Sequence, residues 1–108
     1  MKVVVTGGAG FIGSHLIEKL VERGDIVVAI DNLCSGKKEN LAKIINKIQF
    51  VQDDIRKKGI ITNLKNVDAI IHLAALINIH ESFEKPLLYH EINSEGTLNL
   101  LIDIEDFS

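Results

Sequence analysis

Short, continuous apolar runs alternate along this chain with segments whose apolar residues recur every three or four positions. The runs predict strands at Lys2–Thr6, Ile26–Ile30, Ile48–Gln52 and Ala69–Ala74. Runs of this length, rich in Val and Ile, suit strands buried on both faces. Between the first two, Phe11–Arg23 predicts a helix. Its Phe11, Ile12, Leu16, Leu20 and Val21 share one face, and Gly24 is a natural stop. Asp31–Gly36 reads as a loop. Lys38–Lys47 predicts a short helix with Leu41, Ile44 and Ile45 on one face. Arg56–Leu64 predicts a weak helix or turn broken at Gly59, and Pro86 opens a long helix reaching at least Ile102. Proline is favoured in a first helical turn, where its missing N–H costs nothing.

Strands alternating with helices predict an α/β fold with a parallel sheet. Right-handed crossovers make it a Rossmann-type, doubly wound sheet, its N-terminal half, with strand order 3-2-1-4. The 108 residues suffice for one domain. A net charge of −3 argues against a nucleic-acid partner. Cys34 is the single cysteine, which predicts no internal disulfide and a cytoplasmic setting. The opening apolar run is too short for a secretory leader. The stretch from Ala69 to Ile79 is interrupted by His72 and Asn78, so no membrane partner is expected.

The chemistry concentrates where the first strand ends. Two glycine registers fit a phosphate loop there: Gly8-x-Gly10-x-x-Gly13 and Gly7-x-x-Gly10-x-x-Gly13. Early glycines allow the tight turn, Gly10 lets a pyrophosphate approach the backbone, and Gly13 allows close packing of helix on strand. The helix beyond offers unpaired N–H groups and a positive dipole end to an anion. A glycine-rich turn without a ligand is the alternative. Asp31 ends the second strand, near the expected distance of about 20 residues from the glycines. A carboxylate there accepts hydrogen bonds from an adenosine ribose and repels a 2′-phosphate, favouring NAD over NADP. Lys37 and Lys38 follow and weaken that preference if they face the ribose; a plain turn residue is the other reading of Asp31. After the third strand, Asp53-Asp54-Ile55 offers an acceptor and an apolar surface for an adenine ring. Leu73-Ala74-Ala75 leaves room at the sheet's carboxyl edge for a cofactor to cross, unless it simply packs.

Taken in order, Thr6-Gly-Gly-Ala-Gly-Phe-Ile-Gly-Ser-His15, Asp31-Asn-Leu-Cys-Ser-Gly36, Asp54-Ile-Arg56, His72-Leu-Ala-Ala75, Glu81-Ser82, Lys85-Pro86 and Asn93-x-x-Gly-Thr97 resemble one family. It is the NAD-dependent sugar-nucleotide epimerases and dehydratases of the extended short-chain dehydrogenase type, and within it the chain most resembles UDP-glucose 4-epimerases. The resemblance implies that Gly7, Gly10 and Gly13 form the phosphate turn, with Phe11 and Ile12 reaching the diphosphate through their backbone. Asp31, Asn32, Ser35 and Gly36 would surround the adenosine ribose, and Asp54 and Ile55 would hold adenine. Leu73, Ala74 and Ala75 would line the path to the nicotinamide. Glu81 and Ser82 would face the reacting centre from the substrate side, and Asn93 would support the structure behind it. Ile77 and Ile92 depart from the best-known epimerases, some of which carry a lysine and an asparagine there.

The resemblance further implies NAD as cofactor, a nucleotide sugar as substrate, and interconversion of UDP-glucose and UDP-galactose by transient oxidation at C4. It also implies self-association, through the helix after Pro86 or through the open edge of the fourth strand. A family member needs a Tyr-x-x-x-Lys pair, with the tyrosine as general base. The single tyrosine, Tyr89, is followed four positions on by Asn93 and falls on the wrong helix, so it reads as a surface or packing residue. No catalytic residue is therefore expected in residues 1–108, which read as an NAD-binding domain lacking the catalytic half and the substrate domain. A stand-alone dinucleotide-binding module is the alternative, as is part of a dehydratase or reductase. His15, His72, His80 and His90 are not spaced as a metal site.

Overall fold

A computed structural model of the chain describes residues 1–62, 64–76 and 79–105. Its centre is a four-stranded parallel sheet of order β3-β2-β1-β4. The strands are β1 (Lys2–Thr6), β2 (Ile26–Asp31), β3 (Gln49–Gln52) and β4 (Ala69–His72). Val3 pairs in register with Val27 on one side and Ala69 on the other. The sheet order is the predicted one.

The two-residue period of the strands divides the core into two layers. Val3, Val5, Val27 and Ala29 face one side, where α1 (Phe11–Arg23) brings Ile17 and Leu20. Val4, Val28 and Ile30 face the other, where Ile92 and Leu100 arrive from the C-terminal helices. Helix α1 ends in the left-handed Gly24, whose N–H reaches the carbonyls of Leu20 and Val21.

The periodicity misplaces two residues of α1. Phe11 and Ile12, expected on its core face, are 77% and 69% exposed. They occupy the first turn, beyond the sheet's carboxyl edge, where no core lies beneath them. Ile17 takes the central position instead.

Other boundaries move for local reasons. The predicted helix at Lys38–Lys47 is two 3₁₀ turns, Lys38–Leu41 and Ile45–Lys47. Leu41 and Ile44, three apart, both reach the core, and the tighter i+3 spacing serves that arrangement. β4 ends at His72: the Leu73 N–H makes the last bond to the Thr6 backbone carbonyl at 3.0 Å, shared with the Thr6 hydroxyl, and the Ala74 N–H goes to that hydroxyl. Ile48 precedes β3 rather than opening it, and Arg56–Leu64 forms turns.

The long helix after Pro86 has three parts. They are α3 (Pro86–His90), a wide π turn at Glu91–Glu95, and α4 (Gly96–Glu105). In the π turn the Gly96 N–H reaches back to the Glu91 carbonyl. The hydrophobic pattern does not reveal α2 (Ile79–Glu84), a helix whose Phe83 is exposed. Ile77 lies outside the described residues. Among the described residues, no helix is long and apolar enough to cross a membrane.

Candidate functional site

The β1 strand is flanked by β2 on one side and β4 on the other, and the segments that follow these two neighbours cover opposite faces of the sheet. A crevice opens at the carboxyl end of such a switch point. Here it is a cleft of about 430 Å³. Four segments wall it: the glycine turn with the start of α1 (Gly7, Gly10–Gly13), the loop after β2 (Asp31, Asn32, Cys34–Gly36), Asp53 and Ile55 after β3, and Leu73–Leu76 after β4. Ile30 and Ile92 close its floor.

The turn is shaped by steric necessity. Gly7 has φ +70°, and a Cβ there would lie 2.8 Å from both the Ala74 nitrogen and the Leu73 carbonyl carbon. A Cβ on Gly13 would strike the Gly7 carbonyl oxygen and lie 2.9 Å from the Gly8 Cα. These contacts draw α1 and the β4 wall onto the turn. Gly10 is the N-cap of α1 and provides no side-chain cap, and the first turn carries no acidic residue. The opening N–H groups of α1 therefore face the cleft without a built-in anion, and the helix dipole favours an external one.

Asp31 is 92% buried, and each of its carboxylate oxygens helps to shape the loop. Oδ2 accepts the Ala9 N–H at 2.9 Å and Oδ1 accepts the Leu33 N–H at 2.7 Å. Each oxygen keeps a second acceptor position for a ligand. Asn32 repeats the motif, Oδ1 accepting the Cys34 N–H at 2.9 Å. Two successive side-chain turns thus carry Leu33 into the left-handed region at φ 62°. The Ala9 carbonyl receives the Lys37 N–H at 3.0 Å and Asn40 Nδ2 at 2.8 Å. The Ala9 peptide therefore ties the ribose-side loop to the glycine turn from both of its ends. Asn40 is a contributor that no spacing rule signals. Lys38 turns away toward β3, its Nζ 5.2 Å above the centre of the Phe50 ring.

Asp54 is not on the cleft lining, though its neighbours are. Its carboxylate is held by a fork from Arg56, with Nη2 to Oδ2 at 2.7 Å and Nε to Oδ1 at 3.1 Å. These hydrogen bonds hold the Asp54 carboxyl below the usual carboxylate range. Arg56 also reaches Glu91 at 3.3 Å. Ile55 is buried against Gly96, where a Cβ would lie 2.6 Å from Ile55 Cδ1. Asn99 donates to the carbonyls of Ile55 and Arg56 at 3.3 and 2.8 Å. The helix on this face thus sets the height of the base-side wall.

Glu81 and Ser82 lie on α2, outside the cleft lining. Glu81 Oε1 accepts from the Tyr89 hydroxyl at 3.2 Å, and Tyr89 itself is buried. Asn93 brackets Leu76, with Nδ2 to its carbonyl at 2.9 Å and Oδ1 from its N–H at 2.8 Å. On α1, Ser14 donates to the Phe11 carbonyl, and His15 meets the same carbonyl.

Comparison with known proteins settles the family. A family model described as GDP-mannose 4,6 dehydratase matches residues 4–107. The chain belongs to this epimerase/dehydratase family. A putative UDP-glucose 4-epimerase of Methanocaldococcus jannaschii is 46% identical over 101 residues, covering 92% of this chain and 32% of that protein. A UDP-glucose 4-epimerase of Klebsiella pneumoniae is 42% identical over 108 residues, covering 94% of this chain and 78% of its own length. Among solved structures, the UDP-glucose 4-epimerase of Stenotrophomonas maltophila, with bound NAD and formylated UDP-arabinopyranose, superposes with a TM-score of 0.89 at 38% identity. That alignment covers 98% of this chain and 34% of the Stenotrophomonas chain. The epimerase/dehydratase chain described here thus spans about a third of the length of the archaeal and Stenotrophomonas proteins.

Proposed function

We propose that residues 1–108 form the NAD-binding domain of an enzyme that epimerises a UDP-sugar at C4, as in the UDP-glucose and UDP-galactose pair of galactose metabolism. One observation carries the reading: the uncapped N-terminus of α1 and the buried Asp31 carboxylate open into the same cleft. Bound NAD would supply a reversible hydride acceptor for a sugar carbon. The chain's own residues bind and orient it. The α1 N–H groups neutralise the pyrophosphate through Gly10–Gly13. Asp31, with Asn32, Ser35 and Gly36 around it, takes the adenosine ribose. Ile55 packs on adenine beside Asp54, and Leu73–Ala75 guides the nicotinamide half across the sheet edge. Glu81 and Ser82 belong to the substrate side of the same reading. A nucleotide-sugar dehydratase is the second reading, favoured by the description of the matched family model.

Calorimetric titration with NAD and NADP tests the cofactor assignment. NAD is expected to bind more tightly, because the Asp31 carboxylate excludes a 2′-phosphate and Lys38 is turned away. Asp31→Asn should weaken NAD roughly tenfold and narrow the gap to NADP, since a hydrogen bond to a charged group contributes about 1.5–3 kcal/mol. Equal affinity of the parent chain for both cofactors contradicts the role of Asp31.

Self-association belongs to the same proposal, in a cytoplasmic protein without nucleic-acid or membrane partners. Among the described residues β4 is one of the two edges of the sheet, and edge strands present unpaired N–H and C=O groups. Leu98, Leu101 and Ile102 add an exposed apolar strip on α4, with Leu87 on α3. Sedimentation velocity over a concentration series should show mass rising with concentration. A compact monomer throughout contradicts it.

A further inference from the structure

Beneath the β4 wall of the cleft runs an unbroken chain of hydrogen bonds. Thr6 Oγ1, fully buried, accepts the Leu73 N–H at 3.1 Å and the Ala74 N–H at 3.2 Å. It also lies 2.6 Å from His72 Nδ1. With both acceptor positions of the hydroxyl taken, its proton points at Nδ1. On the far side of the ring, Nε2 lies 2.8 Å from Thr97 Oγ1, whose own proton goes to the Asn93 carbonyl at 2.9 Å. Nε2 must therefore carry the imidazole proton. The partners assign His72 as the neutral Nε2–H tautomer, the form in which each of these donors meets an acceptor. Asn93 then continues the chain to both backbone groups of Leu76.

We propose that neutral His72 is a positioning residue that clasps the Leu73–Leu76 wall of the cofactor cleft, and that protonating it releases this wall and weakens cofactor binding. The proposal rests on the NAD reading given above for what the cleft holds. The release follows from hydrogen-bond counting. A protonated ring aims a second N–H at Thr6 Oγ1, which then competes with the two amides; the Leu73 N–H keeps the Thr6 backbone carbonyl at 3.0 Å, so the Ala74 N–H, held by the hydroxyl, is the contact the clasp stands to lose. The wall packs directly on the Gly7 turn, so its displacement reaches the phosphate side of the cleft.

Among the described residues, the ring nitrogens meet two hydroxyls and no carboxylate. β1 presents the uncharged Thr6, and the helix over the ring presents Thr97. The carboxylates of that helix segment are directed elsewhere, Glu91 to Arg56 and Glu95 to His90. Burial accordingly holds His72 below the ordinary imidazole pKa. A group with a depressed histidine pKa binds its proton less readily folded than unfolded. Its contribution is complete above the ordinary imidazole value and is lost as pH falls through the folded one.

The test has two arms on the full chain. In the first, NAD affinity of the parent chain is expected to fall about three- to tenfold as pH is lowered from about 7.5 through the depressed titration of His72, the worth of one displaced hydrogen bond. His72→Asn, whose Oδ1 takes the place of the Nδ1 acceptor, should keep most of the affinity with a flat profile. His72→Phe should bind weakly at every pH. An equal pH slope in the parent chain and His72→Asn overturns the proposal. The second arm needs no ligand. Imidazole ¹⁵N shifts should report a neutral Nε2–H ring, and protection of the Ala74 amide from exchange should be lost as the ring protonates. An Nδ1–H ring, or an Ala74 amide indifferent to its protonation, overturns the clasp. A parent chain that shows no NAD binding overturns the cofactor reading instead, and the second arm still judges His72.

Discussion

Gly13→Ala is expected to be the most damaging single-methyl change in this chain. The added carbon has no direction in which to relax. It meets the Gly7 carbonyl oxygen, lies 2.9 Å from the Gly8 Cα, and would sit 3.1 Å from the Gly7 carbonyl carbon. All three are backbone atoms of a turn that is itself fixed against β4. The first turn of α1 must then lift from the sheet, taking Ile17 and Leu20 partly out of the core. Overpacking of this kind costs about 1–3 kcal/mol and more where backbone cannot yield. For a domain of this size that corresponds to a fall in Tm of roughly 10 °C or more. Thermal unfolding followed by circular dichroism measures it. A variant melting within about 2 °C of the parent would show that the turn is looser than described, given that scaling.

Gly10→Val should do the opposite, leaving the fold and removing the function. A Cβ at Gly10 has one neighbour within contact, the Gly7 carbonyl oxygen at 3.3 Å, and otherwise points into open space. The backbone there is ordinary, with φ −75° and ψ 175°, so valine adopts it without strain. Losing a good N-cap residue costs on the order of 1 kcal/mol. The open space, however, is the cleft, at the point where the α1 N–H groups face outward. A branched side chain there keeps a pyrophosphate from the helix N-terminus, and NAD affinity should fall at least a hundredfold, the loss of several hydrogen bonds to a charged group. Calorimetry beside a melting curve separates the two effects. A folded Gly10→Val chain binding NAD like the parent would remove the pyrophosphate from this turn.

The contrast between these glycines shows what could be read from residue order alone. The strand, turn and helix sequence placed Gly7, Gly10 and Gly13 correctly relative to β1 and α1, because local geometry dictates that motif. Strand order followed as well, since handedness and alternation leave few arrangements. What periodicity could not resolve was the end of an element, where a side chain from elsewhere takes over the backbone. The Thr6 hydroxyl takes the Ala74 amide where β4 ends, a contact 68 residues distant in sequence. Phe11 and Ile12 satisfied the helical spacing yet stand at the mouth of the cleft, since spacing records a face and not what lies beneath it. The ties that shape the cleft were silent for the same reason. Asn40 reaching Ala9, Asn99 reaching Ile55 and Arg56, and the His72 clasp all join segments that only the folded sheet brings together. Asp54 shows a further limit: its position in the chain indicated the base-binding wall, while its carboxylate is spent on Arg56.

The central claim is that one cleft, at the carboxyl edge of this sheet, holds NAD. The most direct measurement is a titration of the ¹⁵N-labelled chain with NAD, followed residue by residue through amide chemical shifts. Saturable shifts are expected at Gly7–Gly13, Asp31–Gly36, Ile55 and Leu73–Ala75, with the far ends of α1 and β4 unmoved. Shifts that do not saturate, or that saturate at a surface away from these four segments, would contradict the account.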